Sequence, residues 1–196
     1  GVVRCGDTPG FLGNRVGVFA LQVGIDETLK CNLAIEDADA LFGRPMGIPK
    51  TGVFGLYDLI GIDLMADVVV SLGNILPADD AFHAVGAANP TIAAMIAAGF
   101  TGDKGKGGFY CLDGTKRMAR QFAGYEGNDM PPLKPAKTKL PAAAIAAAEA
   151  SARQDEPLFM LLDGHDDQAR FCRRVLGRIL HYAASLVPSV TTTPQD

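Results

Sequence analysis

The sequence predicts an all-α fold, and three observations carry that prediction. Apolar residues recur at helical spacing in both halves of the chain, as at Val16, Phe19, Ala20 and Val23. Cap-then-proline pairs, Asp7-Thr8-Pro9 and Asn89-Pro90, mark helix starts, and Gly43, Gly61 and Gly99 mark stops. Alanine and glycine are abundant and tryptophan is absent, which suits close-packed helices.

Composition narrows the function classes. The 196 residues are 48% hydrophobic and 20% charged, enough for one globular domain or one domain plus part of another. Acids outnumber bases 22 to 18, so a nucleic-acid partner is not expected. No apolar run approaches the roughly 20 residues of a membrane span. The chain begins at Gly1 without a basic-then-apolar leader and reads as a piece of a longer protein. Cys5, Cys31, Cys111 and Cys172 lie far apart with no CxxC spacing, which predicts free thiols in a reducing cytoplasm.

The elements follow in order. Val2–Val3 is a strand-like scrap. A long helix starts at Asp7-Thr8-Pro9, capped by Thr8 or Asp7, and runs to about Lys30 with Asn14 inside it. Ile35–Phe42 forms a short helix whose first turn is acidic at Glu36, Asp37 and Asp39. Gly43–Gly52 is a glycine and proline loop. Val53–Ile60 and Leu64–Leu72 are helices, the second capped by Asp63, and Pro77–Ala87 is a weaker one. Thr91–Ala98 is a helix behind Asn89-Pro90. Phe109–Leu112 and Thr115–Met118 flank Asp113-Gly114 as a small hairpin.

Gly124–Pro141, with four prolines and two glycines, reads as a connecting segment. Leu140–Ala152 is an alanine-rich helix. Asp166–Leu186 is a long amphipathic helix with Ala169, Cys172, Leu176, Ile179, Ala183 and Leu186 on its buried face, stopped by Pro188. The tail from Val190 has no evident partner. Arg15-Val16 is echoed by Arg174-Val175, either as a repeat of the first helix or as a chance likeness of two amphipathic helices.

Few residues suggest chemistry on their own. His83, His165 and His181 are isolated, and no HxxxH, HExxH or GxSxG pattern occurs, so no metal site is expected. Gly102–Gly108 is glycine-rich with Lys104 and Lys106. Its backbone N–H groups and lysines suit an anion, and a tight surface turn with two solvated lysines is the alternative that spacing favours. The loop Arg44-Pro45-Met46-Gly47 either lines a pocket or links helices. No base stands beside a nucleophile or hydride acceptor.

Three stretches together resemble the C-terminal helical domain of the 3-hydroxyacyl-CoA dehydrogenases. They are DTPGFLGNR at Asp7–Arg15, GRPMGIPKTGVFGLYDLIGID at Gly43–Asp63 and GDKGKGGFY at Gly102–Tyr110. Each is weak alone, and all three in order are specific. The resemblance implies a bundle similar to the helical domain of 6-phosphogluconate dehydrogenase-like proteins. It divides the chain into a remnant of an upstream NAD-binding domain (1–6), a first helical domain (7–123), a linker (124–141) and a helical extension opening a second copy (142–196).

It also implies a function. Such domains form the substrate cleft and dimer contact of NAD-dependent enzymes that oxidise 3-hydroxyacyl-CoA to 3-ketoacyl-CoA in fatty-acid β-oxidation. The cofactor NAD and a catalytic His–Glu pair belong to the upstream Rossmann domain, so the fragment alone is expected to be inactive. Asn14 matches the catalytic asparagine, Lys104 a lysine that reaches toward the cofactor, and Pro45, Met46 and Gly47 a substrate-binding loop near the acyl end of the cleft. Expected partners are the 3-hydroxyacyl-CoA substrate, the Rossmann domain, a second helical copy or homodimer partner, and in long forms an enoyl-CoA hydratase module. Gly105 and Lys106 depart from the family pattern, Ile48–Thr51 is inserted, and Arg173 stands where the second copy would carry its asparagine. The alternatives are a non-catalytic oligomerisation module, in which Asn14 is a buried packing amide, and the helical domain of another hydroxyacid dehydrogenase.

Overall fold

The computed structural model describes residues 3–125, 130–151 and 158–192. Parts of the expected leading strand, linker, alanine-rich helix and tail lie outside the described residues. The rest is mainly helical, with one small sheet.

Helix α1, Phe11–Lys30, starts later than Asp7-Thr8-Pro9 suggests. Thr8 takes part in a backbone turn instead, receiving the amide of Phe11 at 2.9 Å, and no side chain caps the helix. Gly10 occupies the cap position at φ 80, where a Cβ would also lie 2.7 Å from Leu72. Beyond Arg15 the helix runs through the core, and nearly every residue from Leu21 to Thr28 is buried.

Helix α2 spans Ile35–Leu41, α3 Phe54–Ile60 and α4 Ile62–Ile75. Gly61, not Asp63, precedes α4, and Asp63 sits in its first turn. The helix expected over Pro77–Ala87 is reduced to a 3₁₀ turn at Ala81–Ala84, where Asp80 receives the amide of Phe82 at 2.9 Å. Helix α5, Pro90–Ala97, opens as its Asn-Pro signature predicts: the Asn89 side chain accepts from the amides of Thr91 and Ile92 at 3.0 and 3.2 Å.

The hairpin exists as β1, Tyr110–Asp113, and β2, Lys116–Arg120. A third strand, β3 at Leu133–Pro135, pairs antiparallel with β2 through Met118 opposite Pro135 and Arg120 opposite Leu133. It lies within the expected linker, so that segment is partly ordered. The Lys139 amide donates to Asp37 at 2.7 Å, which straps the same segment to α2.

Helix α6, Ala142–Ser151, packs on the loop after α2, and the short α7, Leu158–Leu162, precedes α8, Asp167–Ser185. Asp166 caps α8 by receiving the Ala169 amide at 2.7 Å. Helix α8 lies antiparallel on α1. The Phe19 and Tyr182 rings stack with centroids 3.9 Å apart at one end, and Arg174 and Arg178 meet Glu27 at the other. Phe171, Val175 and Tyr182 are buried on α8, whereas Leu176, Ile179 and Ala183 of the expected stripe are half-buried. The tail finds a partner at the other end of the chain. The amide of Gly6 donates to Val190 at 2.8 Å, and Cys5 bridges Thr191.

Candidate functional site

Asn14 stands in the first turns of α1, and the next residue explains how it is presented. Arg15 is buried, paired with Asp80, and its Nε donates to the Tyr182 hydroxyl at 3.4 Å. That network fixes the rotation of α1. Asn14, about 100° further round, is exposed, and among the described residues its amide has no hydrogen-bond partner. It is therefore not the buried packing amide of the scaffold alternative. Beside it, Gly13 and Gly17 line an apolar groove between α1 and α8 of about 760 Å³.

The glycine-rich loop is held by Asp58. This carboxylate, 3% exposed on α3, accepts from the amides of Phe109 and Tyr110 at 2.9 and 2.8 Å, while the Asp58 carbonyl accepts from Asp103 at 2.9 Å. Gly102, at φ 102, pairs with Gly107. A Cβ on Gly108 would overlap the Asp58 carboxylate and one on Gly102 its backbone, so both glycines are needed for close approach. Burial pushes the Asp58 carboxyl up to about 6.

This wiring decides between the two readings of the loop. The amides of Gly102, Asp103, Gly105, Lys106 and Gly108 donate to backbone carbonyls of Gly107, Asp58, Gly102, Gly99 and Tyr110. They are spent on the turn and do not form an anion cradle. The lysines remain exposed. Lys104 Nζ approaches the Ile60 carbonyl at 3.4 Å, and Lys106 Nζ the Ala98 carbonyl at 3.4 Å, each at a helix end.

Asp39 performs a matching task for the loop before α3. It accepts from the amides of Phe54 and Gly55 at 2.7 and 2.9 Å and from the Tyr110 hydroxyl at 2.8 Å. Burial raises its carboxyl to about 6 as well. Sequence reading placed Asp39 only in the acidic first turn of α2 and did not single out Asp58. Asp58 carried a signal, a lone charge inside the apolar run FGLYDLI.

The loop Gly43–Gly52 is more closed than a pocket wall. Pro45 and Met46 are buried in a 3₁₀ turn, and Gly47, at φ 71, is exposed. Its outer edge forms a shallow groove of about 400 Å³ with Arg44 and Lys50 at the rim and Ala148 of α6 opposite. Tyr110, Asp58 and Asp39 thus tie the second and third motif stretches together. Among the described residues, no hydrogen bond or ion pair joins Asn14, Lys104 and Gly47 to one another. Helix α1 reaches α3 further along, where Gln22 donates to the Tyr57 hydroxyl.

The remaining candidates are structural or solvent-facing. His83, His165 and His181 are exposed. Among the described residues no group of acidic, histidine and cysteine side chains could hold a metal ion, and no helix is long and apolar enough to cross a membrane. The four cysteines are free. Arg173 donates to the carbonyls of Leu162 and Gly164 and closes α7.

Comparison with known proteins places this geometry. Residues 10–112 match the family described as 3-hydroxyacyl-CoA dehydrogenase, C-terminal domain. A Rickettsia prowazekii protein named as a fatty acid oxidation complex trifunctional enzyme is 31% identical over all 196 residues, and the chain covers 25% of its length. A Rickettsia felis protein of the same name is 44% identical over 57% of this chain, which is 15% of that protein. A Deinococcus radiodurans protein named as a 3-hydroxyacyl-CoA dehydrogenase is 30% identical over 71% of the chain and 37% of its own length. No solved structure matches the chain. The chain spans a quarter or less of the first two relatives, and the matched segment contains Asn14, the Asp39 and Asp58 clamps and the Lys104 loop. On that match, which takes in more than half of its residues, the chain belongs to the 3-hydroxyacyl-CoA dehydrogenase C-terminal domain family.

Proposed function

We propose that this chain is the substrate-cleft and dimerisation domain of an NAD-dependent 3-hydroxyacyl-CoA dehydrogenase that works in fatty-acid oxidation in the cytoplasm. The observation that carries the reading is the exposed, unpartnered amide of Asn14 on a helix whose rotation Arg15 fixes. An amide donates and accepts without titrating. Asn14 can therefore hold the substrate's 3-oxygen and a neighbouring imidazole in register, the imidazole coming from an upstream domain that carries the His–Glu base. NAD, when bound, accepts the hydride from C3.

Lys104 fits a place at the edge of that cofactor. Its ammonium is exposed and has one long contact, 3.4 Å to a helix-end carbonyl, so further N–H groups are free for phosphate. In the substrate-binding loop, buried Pro45 and Met46 fix the backbone, and Gly47 is the residue left open to substrate. The chain alone is inactive on this reading, because the acid–base pair is supplied from outside it. The antiparallel seat of α8 on α1 supports 142–196 as the opening of a second helical copy, with 7–123 as the first. The trifunctional name of the Rickettsia relatives supports a hydratase module in the same protein.

The test joins the chain to its upstream domain and follows NADH oxidation with acetoacetyl-CoA. Asn14→Ala should lower the rate about 10²-fold, the scale of a positioning or acid–base group, without moving the melting temperature. A variant as fast as wild type removes Asn14 from the reaction. No turnover in wild type rejects the dehydrogenase reading.

A further inference from the structure

The junction Cys5–Gly10 leads into α1, yet its backbone anchors come from the far end of the chain. The Gly6 amide donates to the Val190 carbonyl at 2.8 Å, and Cys5 faces Thr191 in an antiparallel bridge. The junction's other backbone bonds among the described residues are its own turns, from Thr8 to Gly6 at 3.0 Å and from Phe11 to Thr8 at 2.9 Å. Cys5, Gly6 and Asp7 are exposed, so this stretch is not held by burial. The tail is the firmer side. Leu186 and Val190 are buried, and the amides of Val190 and Thr191 donate to the Leu186 carbonyl at 2.7 and 3.3 Å. Its base is α8, whose Tyr182 ring stacks on Phe19 and whose hydroxyl accepts from Arg15.

We propose that Leu186–Thr191 is a strap that fixes the junction, and so sets how a domain preceding Cys5 is presented to Asn14. That consequence rests on the dehydrogenase reading, in which the preceding domain carries the imidazole. The argument is geometric. Arg15 sets the rotation of α1, and hence the direction of Asn14, through Asp80 and Tyr182. The strap begins one turn beyond Tyr182, at the end of the same α8. One helix therefore holds both sides of the boundary, α1 through Tyr182 and the junction through Val190. Between the two stands Gly10, at φ 80, a residue type that leaves the chain direction open, so the anchor at Val190 decides it. Helix α8 and the strap lie outside the matched family segment, residues 10–112. An extension beyond the shared domain thus braces the boundary on which that domain depends.

Gly6 supplies a matched pair of variants. A Cβ there would meet Thr8 and Val190 at 3.6 and 3.7 Å, ordinary contact, so Gly6→Ala keeps the donor and Gly6→Pro removes it. Cys5 and Thr191 face each other beside the Gly6–Val190 bond as a non-hydrogen-bonded pair, whose Cα atoms typically lie about 4.5 Å apart, a spacing that a disulfide accepts. Thr191→Cys, oxidised with diamide, therefore locks the strap to Cys5. In the 196-residue chain, the Gly6 amide should exchange about tenfold or more slowly than its unprotected rate, and ending the chain at Pro188 should abolish that protection. In the protein joined to its upstream domain, Gly6→Pro should lower kcat about tenfold or more with KM for NADH unchanged, since a small misplacement far from the chemistry can cost up to about 10²-fold. Gly6→Ala should match wild type. The chain ended at Pro188, which removes the acceptor, should match Gly6→Pro. The Thr191→Cys disulfide should restore the rate of Gly6→Pro, and its reduction should lose it again, with every melt within about 3 °C of wild type. An unprotected Gly6 amide, a disulfide that does not form, or full activity in Gly6→Pro overturns the proposal. A loss that the disulfide does not restore also overturns it and makes the effect local to proline. The two readings fail separately. Turnover that depends on Asn14 but not on Gly6→Pro sinks this proposal alone. Absent turnover in wild type, with the Gly6 amide protected and the disulfide formed, sinks the dehydrogenase reading and leaves the strap, whose hold the exchange rate reads.

Discussion

Replacing Asp58 with alanine tests the clamp on the glycine loop. Its carboxylate receives the amides of Phe109 and Tyr110 at 2.9 and 2.8 Å in a site 3% exposed. Hydrogen bonds to a charged group contribute roughly 1.5–3 kcal/mol each, so losing both costs about 3–6 kcal/mol. An opposing contribution comes from burial, which lifts the carboxyl from 3.8 to about 6. At about 1.4 kcal/mol per unit, holding the charge in place at neutral pH costs about 3 kcal/mol relative to the unfolded chain. Alanine relieves that cost. The sign follows from proton linkage: the folded protein binds the Asp58 proton more tightly, so this group's contribution is full below about pH 4 and falls as pH rises through 6. Urea unfolding followed by helical circular dichroism should therefore show Asp58→Ala less stable by up to about 3 kcal/mol at pH 7. The deficit should grow by about 2 kcal/mol at pH 4.5. Hydrogen exchange at Phe109 and Tyr110 should accelerate more than exchange in α8. A variant as stable as wild type at both pH values, or a deficit larger at pH 7 than at pH 4.5, refutes the reasoning.

Two further perturbations probe α1. Glu27 is fully buried and receives Arg174 and Arg178 from α8. Glu27→Ala should lower stability by about 2–3 kcal/mol, below the usual range for breaking a buried pair because both arginines reach solvent. A melting-temperature loss near 5–10 °C is expected, and an unchanged melt rejects the latch. Gly17→Ala should raise stability by up to about 1 kcal/mol, since the site is open and alanine favours helix. Gly24→Ala should lower it, because the new Cβ would stand 2.5 Å from Val53. Chemical denaturation of the pair reads the contrast, and equal shifts of one sign would contradict it.

Much of the helical frame was legible from local chemistry. The Asn89-Pro90 start, the glycine stop before α4 and the Asp-Gly hairpin are decided within a few residues, and all three appear as expected. What was not legible depends on partners distant in sequence. Strand β3 forms because β2 offers an open edge, a fact invisible in a proline-rich segment. Helix α1 starts at Phe11 behind Gly10, whose φ of 80 and lack of a Cβ, which would stand 2.7 Å from Leu72, suit that place better than the local Asp7-Thr8-Pro9 signal could show. The buried face of α8 is rotated toward Val175 and Tyr182 because Phe19 stacks on the latter.

The candidate site divides by the same logic. Asp58 and Tyr110 lie inside the motif stretches and Asp39 just before the second, yet each is buried with its hydrogen bonds made inside the fold. Residues so committed cannot also meet a ligand without unmaking the loop they hold. Asn14 and Lys104 differ. They belong to the same stretches but are exposed, and the first has no partner among the described residues. Motif membership alone could not make that separation, because scaffold and chemistry occur side by side in one pattern. Burial makes it: the carboxylates hold the motif loops in shape, and the exposed amide and ammonium are the groups still free to act on something outside the chain. By the same criterion Pro45 and Met46, both buried, hold the Gly43–Gly52 loop in shape, and Gly47 is the exposed part of it.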